Sequence, residues 1–158
     1  MVTKVNGNST STFGGAISTG GAVTASNVGA GNILQVISGE KGSTFSGTSV
    51  PDNGGYFIDV TGYSATITPS STSSKILVMI HAYVGQSTAA GGYQQHIRIR
   101  QGTNYPFLGT SEGGRPVTSA RVNNYTGNTH AMMNISGSWL YSPSSTSALT
   151  YQVQLGGY

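Results

Sequence analysis

Seven Lys and Arg, four acids and three histidines are all the readily ionised side chains in this 158-residue sequence, so acid–base chemistry would have to come from very few groups. The acids Glu40, Asp52, Asp59 and Glu112 are isolated from one another, and Asp52 sits in the turn-like string Pro-Asp-Asn-Gly-Gly. The carboxylate pair that glycoside hydrolysis requires is therefore poorly supplied. His81, His96 and His130 have neither His-x-His nor His-Glu-x-x-His spacing, which leaves a zinc site without its usual ligands. No Gly-x-Ser-x-Gly elbow nominates a serine nucleophile. Glycine-rich stretches such as GGAISTGGAV lack the Lys-Ser/Thr of a phosphate loop. The expectation is a protein that is not an enzyme, with no metal and no cofactor.

One polar constellation remains. In YQQHIRIR, His96, Arg98 and Arg100 alternate with Ile97 and Ile99, so a strand would carry the three basic side chains on one face. The plainer reading is a solvated sheet face; the functional one is a subunit interface or a contact with an acidic glycan. Tyr83, Tyr105 and Tyr125 join this candidate interface or ligand face, since loop tyrosines such as Tyr105, Tyr125 and Tyr93 can stack on sugar rings.

These residues need elements to hold them, and the pattern after Asn32 is one of short β-like runs separated by turn signals. The runs cover residues 33–38, 56–68, 75–84, 93–100, 130–141 and 150–155. In HAMMNISGSWLY, Ala131, Met133, Ile135, Trp139 and Tyr141 fall on one parity, and in TYQVQL Tyr151, Val153 and Leu155 alternate with glutamines. Period two is the signature of a strand with one face in and one out. KILVMIHAYV is apolar on both parities, so both of its faces should be covered, by a second layer or by another subunit. No convincing helix is present, and an all-β antiparallel sandwich, jelly roll or barrel is expected. The string Pro-Ser-Ser-Thr-Ser occurs at Pro69 and again at Pro143. Proline ends a ladder and small hydroxyl residues bond to turn backbone, so the two copies predict equivalent loops between strands, at one end of a sandwich.

Residues 1–32 have a different texture. One charged residue, Lys4, and the sparse apolar Val2, Val5, Phe13, Ile17, Val23 and Val28 are spread among Gly, Ser, Thr and Ala. Such a segment cannot close a core of its own; it is either a disordered tail or an extended arm that docks on a partner. The division is thus an arm, 1–32, and a β head, 33–158.

Charged residues make up only 7% of the chain, against about 25% in ordinary domains, which suits a surface used for close packing in an assembly. The net charge of +3 reflects few acids rather than many bases, and no basic cluster of the kind that neutralises phosphates is present. Nucleic acid is not an expected partner. Cysteine is absent, which removes disulfides and thiolate sites. The N-terminus lacks the apolar core of a secretory signal and no apolar run reaches the ~18 residues of a membrane span, so neither export by its own signal nor membrane insertion is expected.

VTGYSATITPSSTSSKILVMIHAYV and GSWLYSPSSTSALTYQVQL, with HIRIRQGTN between them, resemble small virion proteins of tailed bacteriophages from marine and cyanobacterial environments. The resemblance spans roughly residues 33–155. It implies an antiparallel β-sandwich of jelly-roll type, similar to tumour-necrosis-factor-like heads, assembled as a homotrimer on the outer surface of the virion as capsid decoration, cement or head fibre. Its partners would be itself and a major capsid, tail or fibre protein, reached through the N-terminal arm. A tail-fibre module that binds host surface glycans is the alternative. By the same resemblance the 75–84 strand would be central, Arg98 and Arg100 would lie on the basic strand before the turn at Gly102, and no catalytic residue is implied. Similar chains run on through a further strand after the segment matching TYQVQL, so a neighbouring subunit would complete the sheet here or this copy is shortened.

Overall fold

The structure is a computed structural model that describes residues 33–47, 57–85, 93–110, 117–124 and 132–157. Its strands are β1 (Phe57–Ile67), β2 (Ile76–Gly85), β3 (Tyr93–Gln101), β4 (Ala120–Asn124), β5 (Met132–Tyr141) and β6 (Leu149–Gly157). The described residues contain no helix. Two antiparallel sheets form, one of four strands in the order β1-β6-β3-β4 and one of two, β2-β5.

Alternation places the apolar parity of each strand inward. Val60, Ile80, Ile97, Ile135 and Val153 come from five strands of both sheets and form one buried cluster. Ile76, Ile99, Phe107, Leu149 and Tyr151 form a second. Burying an aliphatic side chain of this size contributes about 1.5–3 kcal/mol, so these ten residues are the main cohesive force between the sheets. Phe107 belongs to no strand, yet it stacks on Trp139 with centroids 5.6 Å apart and meets Tyr141 edge-on at 5.6 Å. The β3–β4 connection thereby plugs the interior with its own side chain.

The two Pro-Ser-Ser-Thr-Ser strings do the same job twice. The first links β1 to β2 and the second links β5 to β6, so each carries the chain from one sheet to the other. Because β1 pairs with β6 and β2 with β5, ending in Ile67↔Leu149 and Ile76↔Tyr141, both crossings occur where those two ladders end. One local bond recurs at equivalent positions: the Ser73 amide donates to Ser71 Oγ at 3.2 Å, and the Ser147 amide to Ser145 Oγ at 3.0 Å. Each is a serine side chain standing in for a turn carbonyl two residues before the donor.

β1 is interrupted between Asp59 and Ser64, where its register against β6 shifts. Gly62 takes a φ of +81° there, a conformation that costs glycine nothing. The carbonyls displaced from the ladder are not wasted: the Gln152 side-chain amide donates to Val60 O at 2.9 Å and Tyr63 O at 3.2 Å.

Three expectations are corrected. Residues 33–38 are not a strand, because apolar, β-favouring residues make a strand only when a neighbour accepts their backbone bonds. A strand not foreseen, β4, forms from the unpromising ARVNN because β3 offers it a ladder from Tyr93↔Asn124 to Ile97↔Ala120. The 75–84 run, expected to be central, lies in the two-stranded sheet with β5 as its pairing partner among the described residues. β6 is flanked by β1 and β3, so it is not an edge strand.

Candidate functional site

The basic stripe lies on the face of β3 opposite Ile97 and Ile99, and the register aligns it with β6 and β1. Asp59, Gln154 and Arg98 are direct cross-strand neighbours, and the side chains join along that row. Arg98 Nε donates to Gln154 Oε1 at 2.7 Å, and Gln154 Nε2 donates to Asp59 Oδ1 at 2.6 Å. Arg100 reaches the same carboxylate through Nη2 at 2.5 Å and turns Nη1 onto the Gly102 carbonyl at 2.8 Å. Gly102 has a φ of +59°, which lets the turn present that carbonyl.

The Arg98 guanidinium also lies between two rings, 4.0 Å from the Phe57 centroid and 4.1 Å from that of Tyr105. A planar, weakly hydrated cation suits such a slot better than an ammonium does. Phe57 reaches it only because its cross-strand neighbour is glycine: a Cβ on Gly156 would stand 2.8 Å from the ring. His96, next in that row, is 1% exposed and meets Phe57 edge-on with centroids 6.4 Å apart.

Electrostatics follow from these contacts. Arg100 holds the Asp59 carboxyl below its usual range, against a smaller opposing effect of burial. Burial pushes the His96 imidazole below its ordinary value, and the charge of Arg121 adds to that. A carboxylate kept ionised by two arginines is a poor general acid. The described residues place no second carboxylate within hydrogen-bonding reach of it, and they contain no group of three His, Asp or Glu able to hold a metal. The row fastens three strands together; its geometry is that of a staple.

A second feature is an open hollow of about 540 Å³ beside the β3–β4 connection, walled by Phe107, Leu108, Trp139 and Leu140, with Thr118, Ser119 and Ser138 contributing hydroxyls. Two of those hydroxyls are already engaged: Thr118 Oγ1 with the carbonyls of Ile97 and Ala120, and Ser119 Oγ with the Ile99 amide.

The third feature is the outer face of the two-stranded sheet. Leu77, Met79, Tyr83, Met132 and Leu140 are all between 59% and 73% exposed. Leu77 pairs directly with Leu140, while His81, Asn134, Ser136 and Ser138 fill the same face. Asn134 binds His81 Nε2 at 2.9 Å and the Ala82 carbonyl at 3.2 Å. No formal charge lies among these residues.

Of the residues singled out from sequence, Arg98, Arg100 and Tyr105 come together, with His96 buried beside them. Tyr105 packs against the Arg98 guanidinium. Tyr83 lies on the other sheet, with its ring edge-on to His81 at 5.2 Å. Tyr125 and the arm residues Val2, Lys4, Val5, Phe13, Ile17, Val23 and Val28 lie outside the described residues. The partners of the basic stripe, Phe57, Asp59, Gln154 and Gly156, were missed; the alternating glutamines of TYQVQL were the one local sign of a polar face opposite the arginines. No family model matches the chain, and neither a curated protein nor a solved structure matches it.

Proposed function

We propose that this chain is a non-enzymatic structural protein of a tailed-bacteriophage virion, a homotrimer on the outer surface of the particle that serves as capsid decoration, cement or head fibre. The observation that carries the reading is the uncharged apolar face of β2 and β5. Large contiguous apolar patches are uncommon on free monomers and mark interaction surfaces, and a chain with 7% charged residues has little else to keep copies apart. The fold in this reading is a jelly-roll-type sandwich, consistent with antiparallel sheets that share two hydrophobic clusters and with paired crossings at Pro69 and Pro143. Residues 1–32 act as the docking arm onto a capsid, tail or fibre protein, and three arms per trimer convert weak docking into avidity.

The test is deletion of residues 1–32. The truncated protein should remain a folded trimer by light scattering and fail to join particles. Full incorporation of the truncated protein would refute the arm, and a monomer at tens of micromolar would refute the trimer.

The alternative, a fibre module that binds host surface glycans, is favoured by the open hollow beside the β3–β4 connection, whose walls combine Leu108, Trp139 and Leu140 with the hydroxyl-bearing Thr118, Ser119 and Ser138. It predicts saturable binding of the intact protein to host cells that Leu108→Ala, in the wall of the hollow, abolishes while the trimer survives.

A further inference from the structure

Two apolar features of the described residues are left without partners. One is the outer face of β2 and β5. The other is the run Ile33, Leu34, Val36 and Ile37, which belongs to no strand and is 43–82% exposed. Each is uncharged, so neither offers an acidic or basic partner a counter-charge, and each is rich in side chains that water solvates poorly. The face is exposed with Val36 and Ile37 of the same chain present, so these two do not cover it within one copy. We infer that the 33–37 run of one copy packs on the outer β2–β5 face of the next, and that this contact closes the trimer. The inference rests on the trimer reading above and adds to it the surface by which copies meet.

Dimensions favour a ring over an isolated pair. Even fully extended, five residues span about 17 Å, against about 33 Å for a ten-residue strand, so one contact covers only part of the face and falls short of the roughly 800 Å² per partner of a stable pairwise interface. The contact is heterologous, since each copy donates a run and accepts another. Heterologous contacts form rings when their rotation closes, and in a ring every copy is held twice.

The absence of cysteine makes the test direct. Full-length Val36→Cys and Met79→Cys, both at exposed positions, are prepared singly and as a co-refolded mixture, then mildly oxidised alongside the double variant, with mass in solution measured by light scattering. The expected result is a trimer in which the mixture yields a disulfide-linked dimer that neither single variant yields, and in which the double variant yields a ladder ending at three chains. A trimer without the 36–79 link overturns this inference and leaves the trimer standing. A link within one chain, seen as a faster-migrating monomer, overturns it by showing that the run covers its own face. A monomer overturns both readings.

Discussion

Gly137 and Trp139 lie two apart on β5, so their side-chain positions share the inner face, and the indole folds back over the glycine. A Cβ at residue 137 would stand 2.4 Å from the ring's Cη2 and 2.7 Å from Cζ2. Ordinary contacts begin near 3.4 Å, so Gly137→Ala forces the ring to move by about 1 Å. That ring packs against both hydrophobic clusters and stacks on Phe107, so it cannot shift without loosening the plug between the sheets. Overpacking a formed core costs about 1–3 kcal/mol, whereas alanine in an open strand position would gain up to about 1 kcal/mol over glycine. The steric effect wins, and the expected change is a loss of roughly 1–3 kcal/mol, or about 2–10 °C in Tm for a domain of this size. Differential scanning calorimetry at fixed protein concentration measures it, with Gly109→Ala, where nothing lies within 4 Å, as the control. Trp139 is the sole tryptophan, so its emission maximum reports ring displacement independently. A Gly137→Ala protein that melts with the wild type and has unchanged emission would refute the reasoning.

Arg98→Lys keeps the charge but loses the planar stack between Phe57 and Tyr105 and the Nε bond to Gln154, and should cost about 1–2 kcal/mol in urea unfolding; an unchanged midpoint would remove the staple from the account. Gln152→Leu strands the carbonyls of Val60 and Tyr63 at the β1 bulge and should lower stability by about 1–3 kcal/mol, with faster amide exchange confined to β1 and β6. For His96, whose pKa is depressed by burial, the unfolded chain binds the proton more readily than the folded one. Its contribution is therefore fully present above about pH 6.5 and is lost as pH falls from there towards the lowered folded value. His96→Leu should flatten the decline in Tm between pH 7 and pH 5, and an unaltered slope would assign it to other groups.

Strand periodicity was the most legible feature of this chain, because a parity of two needs only neighbouring residues to be seen. Ile97 and Ile99 point inward, Arg98 and Arg100 outward, and the inner parity of β5 is the one that HAMMNISGSWLY displays. The two Pro-Ser-Ser-Thr-Ser loops were equally legible, since proline and serine act on their own backbone. What escaped was everything that depends on a partner distant in sequence. β4 is a strand because β3 lies beside it, and residues 33–38 are not one because no described strand takes up their backbone bonds. The Arg98 slot joins residues from β1, β3, β6 and the turn after β3, across separations of up to 95 positions, and the space for Phe57 depends on a glycine 99 residues later being its cross-strand neighbour. Sequence alone determined which side chains each strand turns to either face, because backbone geometry is local. Only the tertiary structure decided which faces meet, leaving the outer face of β2 and β5 uncovered, because register and layer order follow from how the whole chain buries its apolar surface at once.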